Sequence, residues 1–301
     1  MASPDFIIVG APKSGTTSLQ RYLSGHPSVF MVHGEPHYFG RDVDYWPERI
    51  TYGRYLSLFD DASSARFLGE KSVFYLYSRL AAEEIAQHNP DTKIIIMLRN
   101  PVDMLHSLHG MYYAYERFEN IKSFEKALMA EPARKKDRKL SKDTHFRQAL
   151  YYSEIGQYAD QVERYFERFP RENIKVIIYE DFKERPLDVF RETIAFLGLQ
   201  GDYLPEVVVH NQARVVRSHT MKSILAAEGM RKALKASVPR VVLKRLSKVY
   251  RALREWNVKQ GQRKPISVKT RRELFAFFER DISRLSEMLD VDLFRYWNGS
   301  R

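Results

Sequence analysis

Two short stretches hold residues whose types and spacing suit the binding of anions. The first is "GAPKSGTTS" (Gly10 to Ser18), between an apolar run and an amphipathic one. A glycine-rich turn leading from a buried strand into a helix aims backbone N–H groups, and the positive end of the helix dipole, at an anion. Thr16, Thr17 and Ser18 add hydroxyl donors in the first helical turn. In nucleoside-triphosphate loops the second glycine is followed by a lysine for the β- and γ-phosphates, then by Ser or Thr for magnesium. Here Thr16 follows Gly15, and the loop's lysine, Lys13, stands inside the turn. Such a loop serves a metal-bound triphosphate poorly. It fits a single 5′-phosphate, with Lys13 leaning over the group beyond it.

The second stretch is "KIIIMLRNPVDMLHSLH" (Lys93 to His109), which puts Arg99 just past a strand end and Ser107 about two turns into the next helix. Pro101 suits a helix start, where its missing N–H costs nothing. A guanidinium fork and a hydroxyl can converge on a second phosphate; the bland alternative for Arg99 is a structural ion pair. Two phosphate sites at neighbouring strand ends point to a nucleotide phosphorylated at both ends of its ribose.

Together, "APKSGTTSL", "RNPVDMLHS" and "VIIYEDFKERPLDVFRETIAFLGL" resemble the sulfotransferases that use 3′-phosphoadenosine-5′-phosphosulfate (PAPS). "GEPHYF" (Gly34 to Phe39) and "GEKSVFYL" (Gly69 to Leu76) are similar to the heparan sulfate N- and O-sulfotransferases and their bacterial relatives. The similarity runs in order from Phe6 to about Leu199 and resumes weakly in the last helix, ending "DLFRYW".

The resemblance implies that Lys13, Ser14, Gly15, Thr16, Thr17 and Ser18 cradle the 5′-phosphosulfate, while Arg99 and Ser107 hold the 3′-phosphate. It implies an in-line sulfuryl transfer to a hydroxyl, less readily to an amine, with Lys13 on the leaving-group charge and no metal. Glu35 is the expected base, because "GEPHYF" resembles the "KEPHFF" of the heparan enzymes. A carboxylate can act at neutral pH if burial raises its pKa or if the acceptor proton leaves late. His37 is the rival base, since its ordinary pKa lies nearer neutrality. Lys71 matches a lysine near donor and acceptor; an ion pair with Glu70 or another acid is its alternative. Tyr179, Glu180 and Asp181 match a signature that looks structural.

One departure concerns the cover of the site. The heparan enzymes carry a cysteine-bridged segment with "KGRKYP" before the last helix, whereas this chain has "KQGQRKPIS" and no cysteine. Gly261, Arg263 and Lys264 are one candidate cover; Arg214, Arg217 and Ser218 in "HNQARVVRSHT" are another.

The elements that must position these groups are legible as periodicity. Phe6–Val9, Lys93–Leu98 and Lys175–Tyr179 are continuous apolar runs suited to parallel strands covered on both faces, and Arg66–Glu70 adds a short one. Helices are predicted over Ser18–Leu23, Val102–Tyr115, Tyr151–Phe169, 186–199 and 268–289. The expected fold is α/β: a P-loop-type open parallel sheet flanked by helices on both faces, with ligands at the carboxyl ends of the strands. The whole chain, 1–301, reads as one domain, with a mobile or lid region at about 207–265. Val43, Tyr45, Trp46, Tyr52 and Tyr55 are candidates for an acceptor pocket, with core packing as the alternative.

Composition narrows the partners. The 301 residues carry a formal charge of +11, with a pI near 9.6, which favours anionic ligands without choosing among them. The absence of cysteine excludes disulfides, thiolate catalysis and cysteine-ligated zinc, and fits a reducing compartment. No signal peptide or spanning segment is read, so a cytoplasmic, bacterial protein is expected. The basic stretch 230–256 is a candidate contact with a membrane or an acidic partner. The acceptor is expected to be a small molecule, a lipid or a glycan. A P-loop kinase or hydrolase would need a lysine after Gly15 and a metal-binding acid at a strand end, and Asp103 falls on a helix instead. A non-catalytic polyanion binder is suggested by charge alone. No RNA-binding or zinc-finger signature supports a nucleic-acid partner.

Overall fold

Continuous apolarity in Phe6–Gly10 becomes strand β1, buried along its whole length at the centre of a five-stranded parallel sheet. The computed structural model describes residues 3–45, 48–62, 65–115, 119–140, 144, 146–207, 214–218, 220–221, 252–253, 256–261 and 263–297. The other strands of the sheet are β2 (Val29–Met31), β3 (Phe67–Lys71), β4 (Lys93–Leu98) and β5 (Ile174–Ile178), in spatial order β2-β3-β1-β4-β5. In register, Phe6 lies opposite Gly69 on one side and Lys93 on the other. From β1 the chain runs to the edge strand β2, returns through β3 beside β1, and then crosses to β4 and β5 on the other side, so the connections change direction around β1 and the switch point lies there. The loops after β1, β3 and β4 open into one crevice.

Helices α1 (Thr16–Ser24), α2 (Tyr52–Leu56), α3 (Ala81–His88), α4 (Pro101–Tyr115), α5 (Phe124–Arg134), α6 (Tyr152–Ile155) and α7 (Ala159–Phe166) precede β5. After it come α8 (Tyr179–Glu184), α9 (Pro186–Phe196), α10 (Val268–Leu289) and α11 (Leu293–Trp297). Alternation along the strands divides the core in two. Ile7, Val9, Ile94 and Ile96 pack with Leu105, Tyr158, Val162, Phe278 and Trp297. Phe6, Ile8, Ile95 and Met97 pack on the opposite face with Leu19, Leu23, Phe182 and Phe190. Each such buried side chain contributes about 1.5–3 kcal/mol of transfer free energy. The expected open sheet with helices on both faces is what forms.

Local differences have local causes. The single helix expected over 151–169 divides into α6 and α7. Asp281, on α10, accepts from the backbone N–H groups of Tyr158 (2.7 Å) and Ala159 (3.1 Å), capping a new helix start. Gly156 sits at the break, where a Cβ would come within 2.5 Å of the Phe278 ring. Tyr179, predicted as a strand end, begins α8. Strand β2 and helices α2, α3 and α5 were not predicted. The expected lid region contributes a two-stranded antiparallel ribbon, β6 (Arg214–Val216) with β7 (Val258–Gln260). Most of the basic stretch 230–256 lies outside the described residues. Among the described residues, no helix is long and apolar enough to cross a membrane.

Candidate functional site

The crevice is built from three strand ends. After β1 the chain turns through Gly15, whose φ of 87° opens α1. A side chain there would be strained by that φ and would meet Tyr179 at 3.0 Å and Phe182 at 3.2 Å. Lys13 also adopts a left-handed conformation, φ 61°. Arg99, just past β4, donates to the Lys13 carbonyl (3.1 Å) and lies 4.5 Å over the Tyr179 ring. The second strand end therefore holds the backbone of the first loop in place.

Positive groups converge above that loop. The Lys13 ammonium lies 3.6 Å from Met111 Sδ. Burial, then the charges of Arg263 and Arg99, push its pKa down to about 8, against the opposing pull of Glu35. Arg263 donates to Ser107 Oγ (3.3 Å), a contact between residues 156 positions apart in sequence. The Arg263 guanidinium lies on Gly110, where a Cβ would fall 2.3 Å from Nε. Its Nε is buried and has no hydrogen-bond partner among the described residues. Burial and then Arg263 push His106 down to about 4, so this neighbour is neutral near pH 7 and adds no fourth charge.

The ribbon delivers Arg263. Asn257, buried, uses its amide as a clamp: Oδ1 accepts from the Ser218 N–H (2.9 Å) and Nδ2 donates to the Ser218 carbonyl (3.0 Å). Of the two covers weighed from sequence, Arg263 is the one brought to Ser107. Arg217 lies over the Trp256 ring at 5.3 Å instead, and Ser218 Oγ accepts from the Met221 N–H. Arg214 pairs with Gln260 within the ribbon. Lys264 is exposed.

On the other side of Lys13 lies an acidic centre. Glu35 is held between Lys71 (Nζ to Oε1, 2.8 Å) and His37 (Nε2 to Oε2, 3.1 Å). Lys71, at the end of β3, also donates to Thr17 Oγ1 (3.3 Å), linking the first loop to the Glu35 loop. The partner of Lys71 is thus Glu35, not the adjacent Glu70. Burial would raise the Glu35 pKa, but the His37 hydrogen bond and Lys71 outweigh it and hold the carboxyl down at about 2. Of the two ways in which a carboxylate base can act at neutral pH, a raised pKa is therefore not the one available to Glu35: it is ionised across the working pH range. His37 has φ 48°, is buried, and stacks on Tyr45 with ring centroids 4.0 Å apart.

The remaining first-loop residues are placed less directly. Ser14 is buried, with its hydroxyl turned back to the Pro12 carbonyl at 3.4 Å. Thr16 is buried in the first turn of α1, and the Ser18 N–H bonds to the Gly15 carbonyl. Glu180 accepts from the Asn100 N–H and from Trp297 Nε1, a structural role, as its signature suggested. Asp103 pairs with Arg271 of α10. Of the two readings of the aromatic cluster, pocket or core, core packing is the one formed by Val43, Tyr45 and Tyr55; Tyr52 is half exposed, and Trp46 lies outside the described residues. Gly110 and Asn257 escaped sequence reading. Only Gly110, a glycine inside a helix, carried a local signal.

An open parallel sheet with a cation-rich strand–loop–helix turn at its switch point defines a P-loop-type α/β protein. Residues 3–238 match the sulfotransferase domain family, and the chain belongs to it. It is 30% identical over 208 residues to human bifunctional heparan sulfate N-deacetylase/N-sulfotransferase 3, covering 66% of this chain and 23% of that protein. To mouse heparan sulfate glucosamine 3-O-sulfotransferase 3B1 it is 28% identical over 215 residues, covering 70% and 50%. It therefore spans half or less of either relative's length. A solved structure, the sulfotransferase from Alicyclobacillus acidocaldarius, matches at 30% identity with a TM-score of 0.73, covering 99% of this chain and all of that one.

Proposed function

We propose that this protein moves a sulfuryl group from PAPS to a hydroxyl acceptor and releases adenosine 3′,5′-bisphosphate. The observation that carries the reading is the meeting, in one crevice, of the Lys13 loop with the Arg99–Ser107–Arg263 group. One serves a 5′ anion and the other a 3′ phosphate. The buried Arg263 Nε, without a partner among the described residues, and the crowding of Lys13 by the charges of Arg263 and Arg99 fit a dianionic ligand: burial and that crowding hold the Lys13 and Arg263 pKa values down, and an entering anion relieves both.

PAPS supplies an activated sulfuryl group whose sulfur–oxygen bond to the 5′-phosphate breaks as the acceptor oxygen bonds to sulfur. Lys13 holds a proton at Nζ where negative charge gathers on the leaving phosphate oxygen. The N–H groups of the Gly15 turn and the hydroxyl of Thr17 fix the 5′ end, while Arg99, Ser107 and Arg263 fix the 3′ end. Glu35, always ionised, takes the acceptor proton late in the transfer, and Lys71 with His37 holds its carboxylate in one orientation. Glu35 favours a hydroxyl acceptor, whose proton must leave during reaction. The acceptor class is a glycan, lipid or small-molecule alcohol.

The test is transfer of label from [35S]PAPS to a panel of hydroxyl- and amine-bearing glycans, lipids and phenols. The reading predicts labelled sulfate esters, and at least a hundredfold loss of turnover in Glu35→Gln with adenosine 3′,5′-bisphosphate still bound. Turnover surviving in Glu35→Gln would move the base role to His37. Absence of transfer to every acceptor, together with no binding of the bisphosphate, would overturn the reading.

A further inference from the structure

Along β3, neighbouring side chains point to opposite faces. Lys71 faces Glu35 and Thr17; Glu70 faces away, is fully buried, and has no part in the transfer just described. The Glu70 carboxylate accepts three hydroxyl hydrogen bonds. Tyr55 (2.9 Å) and Tyr75 (3.2 Å) donate to Oε1, and Ser72 (3.0 Å) donates to Oε2. Two of these hydroxyls are themselves acceptors. Ser72 Oγ takes the N–H of His37 (3.0 Å), and the Tyr75 hydroxyl takes those of Tyr38 (2.8 Å) and Phe39 (3.2 Å).

Proton counting fixes the direction of the Tyr75 bond. A hydroxyl has one proton and two lone pairs. Tyr75 spends both lone pairs on backbone N–H groups, so its proton must find an acceptor, and Glu70 is that acceptor. Ser72 behaves alike with one N–H. Three consecutive N–H groups of a loop that belongs to no helix or strand are satisfied because one buried carboxylate takes the hydroxyl protons. That loop carries Glu35 and His37. His37 sits at φ 48°, a conformation a non-glycine residue keeps only where its surroundings over-determine it.

We propose that Glu70 is the positioning residue for the Glu35–His37 pair: by orienting the Ser72 and Tyr75 hydroxyls it hangs the loop 37–39 from β3. The proposal rests on the reading of Glu35 and His37 as reacting groups. Burial pushes the Glu70 carboxyl up to about 7 while the Tyr55, Ser72 and Tyr75 hydroxyls pull it back down, consistent with hydroxyl protons stabilising a costly charge. Gln at this position keeps the shape but brings an amide that donates. It competes for the lone pairs that the loop N–H groups need.

The experiment is residue-resolved amide hydrogen exchange on the full chain at pH 8, in wild type, Glu70→Gln, Ser72→Ala and Tyr75→Phe. Glu70→Gln is expected to speed exchange at 37, 38 and 39 by about tenfold or more, the loss of one ordinary hydrogen bond each. Ser72→Ala should affect His37 alone, and Tyr75→Phe only Tyr38 and Phe39, with β1 and β4 amides unchanged. Thermal stabilisation by adenosine 3′,5′-bisphosphate should persist. With the best acceptor from the panel, Glu70→Gln should lower kcat at least tenfold and leave the donor KM unchanged. Unchanged exchange at 37–39, or a uniform rise across the chain, overturns the proposal. If Glu70→Gln does not fold, the complementary patterns of the other two variants decide. Failure of the bisphosphate to stabilise wild type would count against the proposed function and leave the exchange pattern standing.

Discussion

Lys13 sets the chemistry at the scale of single residues. Its folded pKa, about 8, lies below the ordinary 10.5 because burial and two guanidinium neighbours disfavour its charge. The charged form is thus a liability in the free protein below pH 8, and stability should rise as pH climbs from about 8 toward 10.5, where the unfolded chain still binds the proton. An anion beside the ammonium reverses that preference, so binding should take up a proton above pH 8. We predict that affinity for adenosine 3′,5′-bisphosphate is flat between about pH 7, where its phosphates are fully ionised, and about pH 8, and then weakens toward tenfold per pH unit. Calorimetry in buffers of different ionisation enthalpy would show the proton uptake. Lys13→Met should flatten the profile; an unchanged profile in that variant would assign the titration elsewhere. Glu35 behaves oppositely. With its carboxyl held at about 2, its contribution to stability is present above pH 4.5 and is lost as pH falls through that window toward 2.

Among elements, α4 and the β6–β7 ribbon decide whether the 3′ end is held. Gly110 leaves the space that the Arg263 guanidinium fills. Gly110→Ala should therefore displace Arg263 from Ser107 and weaken bisphosphate binding about tenfold or more, although alanine is the better helix former by about 1 kcal/mol. Titration calorimetry with a parallel melting curve checks both halves, and unaltered affinity would show that Arg263 does not hold the ligand. The same elements show where sequence legibility ends. Strands β1 and β4, the Lys13 loop and Arg99 with Ser107 were readable because each depends on a continuous apolar run and the turn after it. The break at Gly156 was not, because Asp281 and Phe278, distant in sequence, impose it. Tyr45 and Tyr55 read equally well as pocket or core. Stacking of Tyr45 on His37, and the bond from Tyr55 to Glu70, decide for the core, and neither is visible locally. The partner of Lys71 was likewise a tertiary matter. Arg263 was named as a candidate, but nothing near it in sequence reports Ser107 or the Asn257 clamp.

For the whole molecule, one buried ion pair and one ligand preference make separable tests. Arg134, fully buried on α5, pairs with Glu119 at 2.7 Å, and Glu119 also accepts from Tyr152. Arg134→Met would leave a buried carboxylate without its cation, and should lower unfolding stability in urea by about 3–5 kcal/mol. Bisphosphate affinity of the folded fraction should not change, since this pair is no part of the nucleotide site; a loss below about 1 kcal/mol would show that the Arg134–Glu119 pair is not what holds α5 in place. The central claim is that the crevice reads a nucleotide by its two separate phosphates. The most direct measurement is thermal stabilisation by adenosine 3′,5′-bisphosphate, 5′-AMP and ATP–magnesium at equal concentration. At about a hundredfold excess over its Kd, the bisphosphate should add about 2.7 kcal/mol, a shift of roughly 5 °C. Adenosine 5′-phosphate should give much less, ATP–magnesium little, and Arg263→Ala should narrow the gap between the first two. Stabilisation by ATP–magnesium that matches or exceeds the bisphosphate would contradict the account.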